Sequence, residues 1–322
     1  SPTLIGIIMA ETYLTLTNKV ISRLNEVALT STTFSSARGI QVQCQNAVNE
    51  AVRYINQKEF QYPFNHATDT EVLTAGTVRY SVPATTKTVD YNTFRIIKDS
   101  DLGVTGGRLK ILNYNDYVNS FITQEDEINS TTTSTTHTDS VTTITVTSTS
   151  GFDSAGTLFI GNEQITYTAI GSSTTFTGCT RGANSTTAAT IASGVTVTQF
   201  DGGGIPEFIV RTPDNNYLVY PFPTKSVTIK FDYYTFPTDM SAHGSTTTVP
   251  DRFAAVIIDG ATAFVYQYRG ETQQYQLNMQ RFEQGIKNMQ TLLINRFDYI
   301  RSTYIPQSSG ASNSATLNLR VS

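Results

Sequence analysis

The stretch Asn129–Gly151, NSTTTSTTHTDSVTTITVTSTSG, is almost entirely Ser and Thr, with ordinary globular patterning on both sides. Its reading decides how the chain divides. Between Ile128 and Phe200 the charged residues are Asp139, Asp153, Glu163 and Arg181. Disorder usually joins low hydrophobicity to high charge, and here the charge is missing. The first dozen residues carry no apolar period and read as a flexible linker. Beyond them VTTITVTS sets Val141, Ile144 and Val146 among threonines, and TLFIGNEQITYTAI gives two short strands around a Gly161–Asn162 turn. Phe176, Val195 and Val197 supply further strand positions. The branched Cβ of Thr suits a pleated sheet. Residues 129–200 therefore read as a small all-β module, introduced by a floppy stalk and inserted into another domain.

Period-two patterning flanks the insertion. Val78, Tyr80 and Val82 alternate with polar residues; Val89, Tyr91, Phe94 and Ile96–Ile97 form a second strand, and Arg108–Leu112 a third after Gly106–Gly107. Asn113–Phe121 reads as a short helix or turn. Past the module, FIVRTPDNNYLVYPFP holds two strands around Pro213–Asn216, and VTIKFDYYTFP alternates Val227, Ile229, Phe231 and Tyr233. Residues 63–128 and 201–249 thus form a central antiparallel β domain.

The ends are helical. Thr17 is read as the cap of a helix reaching about Leu29, with Val20, Ile21, Leu24 and Val27 on one face. A second helix fits Ser36–Lys58, with Ile40, Cys44, Ala47, Ala51, Tyr54 and Ile55 on one side. Pro250–Asp251 opens another, with Phe253, Val256, Ile257, Ala261, Phe264, Val265 and Tyr268 on its stripe, broken at Gly270. A long helix from about Glu271 to Tyr304 carries Tyr275, Met279, Phe282, Ile286, Met289, Leu293, Phe297, Ile300 and Tyr304 in steps of mostly four and three, a heptad-like seam. Residues 1–62 and 250–305 read as a helical core, and the fold class as α+β. In the tail, residues 306–322, Ala315, Leu317, Leu319 and Val321 alternate with polar residues: a strand on a flexible tether, in need of a sheet edge.

Composition narrows the function. The chain has 322 residues, enough for two domains, of which only 15% are charged, and a net charge of −4. No basic field is available to grip phosphates. Cys44 and Cys179 are too few for a disulfide framework or a zinc site. No apolar run spans a membrane. SPTLIGIIMA lacks the basic start of a signal peptide, and Met9 marks a second start, making the first eight residues an upstream extension. His66, His137 and His243 sit in loop-like contexts, with only Asp139 near enough to His137 to share a ligand; His137 reads as a solvated linker residue. Glu125–Asp126–Glu127 lacks the spacing of a calcium loop and reads as a solvated turn. Asp201–Gly204 reads as the junction through which the insertion leaves the sheet. Nucleophile-elbow, zincin and P-loop motifs are absent. The expectation is a protein with no catalytic, cofactor-binding or metal-binding residues, and not an enzyme.

Two stretches carry a resemblance. YLVYPFPTKSVTIKFDYYTFPTDM followed by VPDRFAAVIIDGATAFVYQYRGE, together with LTNKVISRLNEVAL, RGIQVQCQNAVNEAVRYI and NYNDYVNSF, resembles the tail tubular or head-to-tail adaptor proteins of short-tailed bacteriophages. Gly156–Val197, GTLFIGNEQITYT…FTGCTRG…TTAATIASGVTV, is similar to a small β module of phage virion and tail proteins, in which Glu-x-Ile-x-Tyr precedes Thr-Arg-Gly; Thr190–Ile191 stands where a His-Ala pair is frequent. The resemblance implies a homo-oligomeric ring, twelve-fold in the family. It would dock beneath the portal protein, receive the tail nozzle protein and pass genomic DNA without binding it specifically. It implies a virion component assembled in the host cytoplasm, with tail fibres as a further partner. Tyr275, Met279, Phe282, Ile286, Met289 and Leu293 then fall at a subunit interface or ring wall, and Leu317, Leu319 and Val321 in a portal-docking tail. Two other readings stay open: a trimeric receptor-binding or fibre-like virion protein, and a secreted carbohydrate-binding module or glycosidase. The latter class normally stacks sugars on Trp and uses paired carboxylates, and this chain has no Trp.

Overall fold

The computed structural model describes residues 11–294 apart from 101, 102 and 127. The expectations for the first eight residues and Met9, for Phe297, Ile300 and Tyr304, and for Leu317, Leu319 and Val321 lie outside the described residues. The chain is mixed α+β. Among the described residues the α-helices are α1 (Tyr13–Arg23), α2 (Ile40–Gln57), α3 (Tyr114–Ser120), α4 (Thr123–Asp126), α5 (Ala254–Arg269) and α6 (Thr272–Leu293). Before the Thr-rich stretch the described residues form β1 (His66–Leu73), β2 (Arg79–Tyr80), β3 (Thr86–Ile96), β4 (Gly107–Arg108) and β5 (Lys110–Leu112). Within it come β6 (Asn129–Thr132), β7 (Thr143–Thr145), β8 (Gly156–Ile160), β9 (Glu163–Tyr167), β10 (Ala169–Ser172), β11 (Thr175–Thr177), β12 (Thr180–Ala183) and β13 (Thr196–Gln199). After it follow β14 (Phe208–Arg211), β15 (Tyr217–Tyr220) and β16 (Val227–Thr235). Two units emerge: Ser1–Asn65 with Pro237–Ser322, and His66–Phe236.

The first unit is helical. Helix α1 starts earlier than its sequence suggests, because Thr12 and not Thr17 is the cap. The Thr12 hydroxyl accepts from the Thr15 amide at 3.2 Å, and the Thr15 hydroxyl accepts from the Thr12 amide at 2.8 Å. Tyr13, Leu16, Val20 and Ile21 then form the buried stripe. The helix also ends earlier: Asn25 takes a positive φ of 56°, and Val27, placed on the helix by its period, stands exposed outside it. The unit takes in Pro237–Val249, which the sequence pattern had assigned to the β domain. Asn49 ties it down, donating to the Met240 carbonyl at 2.9 Å and accepting from the Met240 amide at 3.1 Å.

Helices α5 and α6 cross closely because glycines sit at the contact. A Cβ on Gly260 would lie 2.7 Å from the Phe282 ring, and one on Gly285 3.1 Å from Val256. Gly270, left-handed at φ 75°, closes α5. Gly260→Ala is expected to force Phe282 off its rotamer and cost about 1–3 kcal/mol. A thermal melt checks this: an unchanged midpoint would mean that the helices do not approach so closely.

The second unit contains two four-stranded sheets and the Thr-rich module. The sheet orders are β1-β16-β3-β4 and β2-β15-β14-β5, so strands from before and after the insertion pair with one another. The two sheets share a core: Phe94 stacks on Phe231 at 4.4 Å, and Tyr217 of the other sheet meets both rings edge-on. The sequence suggested antiparallel pairing throughout, but β5 and β14 are parallel, with Ile111 opposite Ile209. Parallel neighbours need a long crossover, and residues 113–207, which hold α3, α4 and the inserted module, supply it.

The module folds as a five-stranded sheet, β12-β9-β8-β13-β6, and a three-stranded one, β10-β11-β7. The floppy stalk of the sequence reading does not exist. Asn129–Thr132 is the edge strand β6, paired to β13. Beyond it the Thr133 hydroxyl donates to the Ala192 carbonyl at 2.7 Å, and His137 and Ile191 exchange backbone hydrogen bonds at 2.8 and 2.9 Å. His137, expected in solvent, is only 5% exposed, and its Nε2 accepts from the Thr145 amide at 3.2 Å. Threonine explains the miss: it occupies both faces of the strand, so no apolar alternation appears, while its hydroxyls satisfy the polar groups that are buried. The module also rests on its host. Phe200 stacks on Phe159 at 4.2 Å and meets Phe222 edge-on at 4.7 Å, and a Cβ on Gly76 would lie 2.7 Å from the Phe200 ring. Excising residues 129–200 would uncover that apolar cluster.

Candidate functional site

The expected interface residues divide by burial. On α6, Phe282, Ile286 and Met289 are buried within the chain's own helical core, and Met279 and Leu293 are half-buried against it. Phe282 is flanked by Tyr54 of α2 at 5.2 Å and Phe264 of α5 at 6.2 Å. The stripe that the sequence offered to a neighbour is thus largely used inside the chain itself. Tyr275, Met279, Glu283 and Lys287 follow at four-residue spacing on the outer side and line a shallow groove with Gln276 and Gln280. Glu283 is held there by the Tyr54 hydroxyl and by Lys58, whose Nζ lies 3.2 Å away. Burial opposes its charge, but those two donors outweigh it and keep the carboxyl below its usual range. Large apolar side chains are also left exposed on α5, on α6 and just past its end: Tyr268, Leu277, Leu292 and Ile294.

In the module, the Glu-x-Ile-x-Tyr and Thr-Arg-Gly segments meet. Glu163 of β9 and Arg181 of β12 form a two-pronged ion pair, Nε to Oε1 and Nη2 to Oε2 both at 2.7 Å, with side chains only 4% and 6% exposed. The Gly182 and Ala189 amides donate to the same carboxylate at 2.9 and 3.2 Å. Arg181 also donates to the Thr138 and Ala189 carbonyls. Burial works against the Glu163 charge; the guanidinium and the two amides reverse that and hold its carboxyl low. Tyr167 donates to the Asp153 carbonyl at 2.6 Å and accepts from Gln199. The motif is a fold clamp that straps the stretch around Thr138 to the sheet. Sequence reasoning missed it, although two opposite charges in an almost uncharged segment were the available signal.

The remaining chemical candidates are occupied. Glu125 pairs with Arg79 at 3.0 Å and accepts from Tyr117 at 2.6 Å, so it is not part of a solvated turn. Burial pushes the Cys44 thiol up to about 11 and raises that of Cys179, which leaves both poor nucleophiles at neutral pH. Gly203, at φ 75°, would place a Cβ 2.9 Å from Phe222, so the glycine run serves chain packing. Among the described residues no His, Cys, Asp and Glu cluster could hold a metal, and no helix is long and apolar enough to cross a membrane. Leu317, Leu319 and Val321 lie beyond the described residues.

The family model described as SU10 adaptor protein matches residues 115–302, more than half of the chain and including the Thr-rich module. No curated protein matches the sequence.

Proposed function

The chain belongs to the SU10 adaptor protein family, and from that premise we propose how this phage structural adaptor, a component of the virion, is used. It forms a homo-oligomeric ring, twelve-fold, beneath the portal protein. It joins the portal to the tail nozzle and lines part of the channel through which genomic DNA passes without specific binding. Its role is structural and not catalytic. The tail carrying Leu317, Leu319 and Val321 docks on the portal, and the Thr-rich module offers a face to tail fibres. The particle's subunits assemble in the host cytoplasm.

The observation that supports this reading best is the set of large apolar side chains that α5 and α6 leave exposed. Tyr268 is 64% exposed, Leu277 45% and Leu292 72%. Large apolar groups exposed on these helices favour burial against another protein, and a neighbouring copy in a ring supplies that cover. Low charge suits large subunit contacts, and a net charge of −4 suits a channel that must not hold phosphates.

Electron microscopy of the chain mixed with the portal of the same particle tests the reading. The expected image is a closed ring on the portal with an open central channel. A trimeric spike, or no added density on the portal, would refute it. A variant lacking Ser312–Ser322 is expected to bind the portal more weakly while keeping its fold; equal affinity would discard the tail as the docking element.

A further inference from the structure

We propose that the solvent face of the sheet β1-β16-β3-β4 docks a carboxylate-bearing protein surface, through three cations that the strand register lines up. Lys230 on β16 lies opposite Arg95 on β3, and Arg95 lies opposite Arg108 on β4. Directly opposed residues project from the same face of a sheet. Their neighbours Ile229 and Ile96 are buried in the core, so the three cations point the other way. With strands about 4.8 Å apart, the row spans roughly 10 Å.

None of the three forms an ion pair with a described residue. Arg95 donates to the Thr93 carbonyl at 3.2 Å and Arg108 to Asn92 Oδ1 at 3.1 Å, both neutral acceptors. Like charges placed directly opposite one another weaken a sheet. Basic composition does not explain them, since only 15% of the chain is charged and its net charge is −4. A row of carboxylates on a partner would turn this repulsion into attraction.

The next row identifies the class of partner. Val72 lies opposite Thr228, and the Ile97 amide donates to the Thr228 carbonyl at 2.8 Å. Val72 is 53% exposed and Ile97 38%. A phosphate backbone gains nothing from two aliphatic side chains beside the cations, and the negative net charge repels it at long range. A protein face with acidic residues about 5 Å apart beside an apolar strip uses both rows. One turn of an acidic helix has that spacing.

The inference rests on the adaptor reading for its probes, the purified portal and nozzle proteins of the same particle. Binding to each is measured at low and high salt for the wild type, for the triple variant Arg95→Gln, Arg108→Gln, Lys230→Gln, and for Val72→Asp. Exposed pairs contribute modestly, so three together are expected to cost about tenfold in affinity for one of the two proteins. That loss should be largest at low salt, Val72→Asp should weaken the same partner, and circular dichroism should stay unchanged. Full affinity of the triple variant for every protein that the wild type binds overturns the inference. So does a loss confined to short duplex DNA measured alongside. A wild type that binds neither protein overturns the adaptor reading, and this inference with it.

Discussion

Arg181→Ala is expected to destabilise the Thr-rich module by about 3–5 kcal/mol, the cost of leaving a buried charge without its partner. The Glu163 side chain is 4% exposed and would keep only the Gly182 and Ala189 amides. The Thr138 and Ala189 carbonyls would lose their donors as well. Replacing both charges, Glu163→Leu with Arg181→Met, is expected to cost much less, because no charge is then stranded. Urea unfolding of the three proteins measures this, and a loss below about 1 kcal/mol for Arg181→Ala would mean that the pair is solvated. The pH dependence has a definite sign. The folded pKa of Glu163 is depressed, so the carboxylate binds its proton more weakly in the folded chain than in the unfolded one. Its contribution is therefore complete above the unfolded value of roughly 4.3 and is lost as pH falls through the lower folded value. Glu163→Gln should remove that part of the acid sensitivity.

The elements that could be read from sequence are those where one face is apolar and the other is not. VTIKFDYYT shows its strand because Val227, Ile229 and Phe231 go to the core and Thr228 and Lys230 do not. Helix α2 shows itself in the same way. Asn129–Ser140 hid its order because threonine serves on both faces of a strand, which removes the alternation without removing the β preference. The start of α1 was missed because two threonines compete as caps, and the choice falls to packing: Tyr13 and Leu16 are buried, so the helix has to begin before them. The parallel pairing of β5 with β14 depends on where the module re-enters the sheet, which is a property of topology and not of local pattern. Long-range pairs were least legible. Arg95, Arg108 and Lys230 are distant in sequence and meet only through strand register. The apolar stripe of α6 was legible as a stripe, but its periodicity cannot say whether a helix of the same chain or of a neighbour covers it.

That last ambiguity makes Phe282→Asp the most severe substitution expected here. Phe282 is fully buried, with its ring against Gly260 and between Tyr54 and Phe264. Removing the ring costs about 3–5 kcal/mol in lost burial and residual cavity. The new carboxylate has no donor in that apolar site, so it must either take up a proton or force water into the core, and each adds to the loss. Since whole domains are stable by only about 5–15 kcal/mol, the helical unit is expected to be largely unfolded at room temperature. Leu277→Asp on the same helix is the contrasting case. Leu277 is 45% exposed, so the charge stays hydrated and the fold should hold. If the face of α6 that carries Leu277 is a subunit contact, that variant folds normally and fails to form rings. Helical circular dichroism and electron microscopy on the two variants separate the roles. A folded Phe282→Asp protein would move the seam out of the helical core, and a Leu277→Asp protein that still closes into rings would exclude this face as the contact proposed between copies.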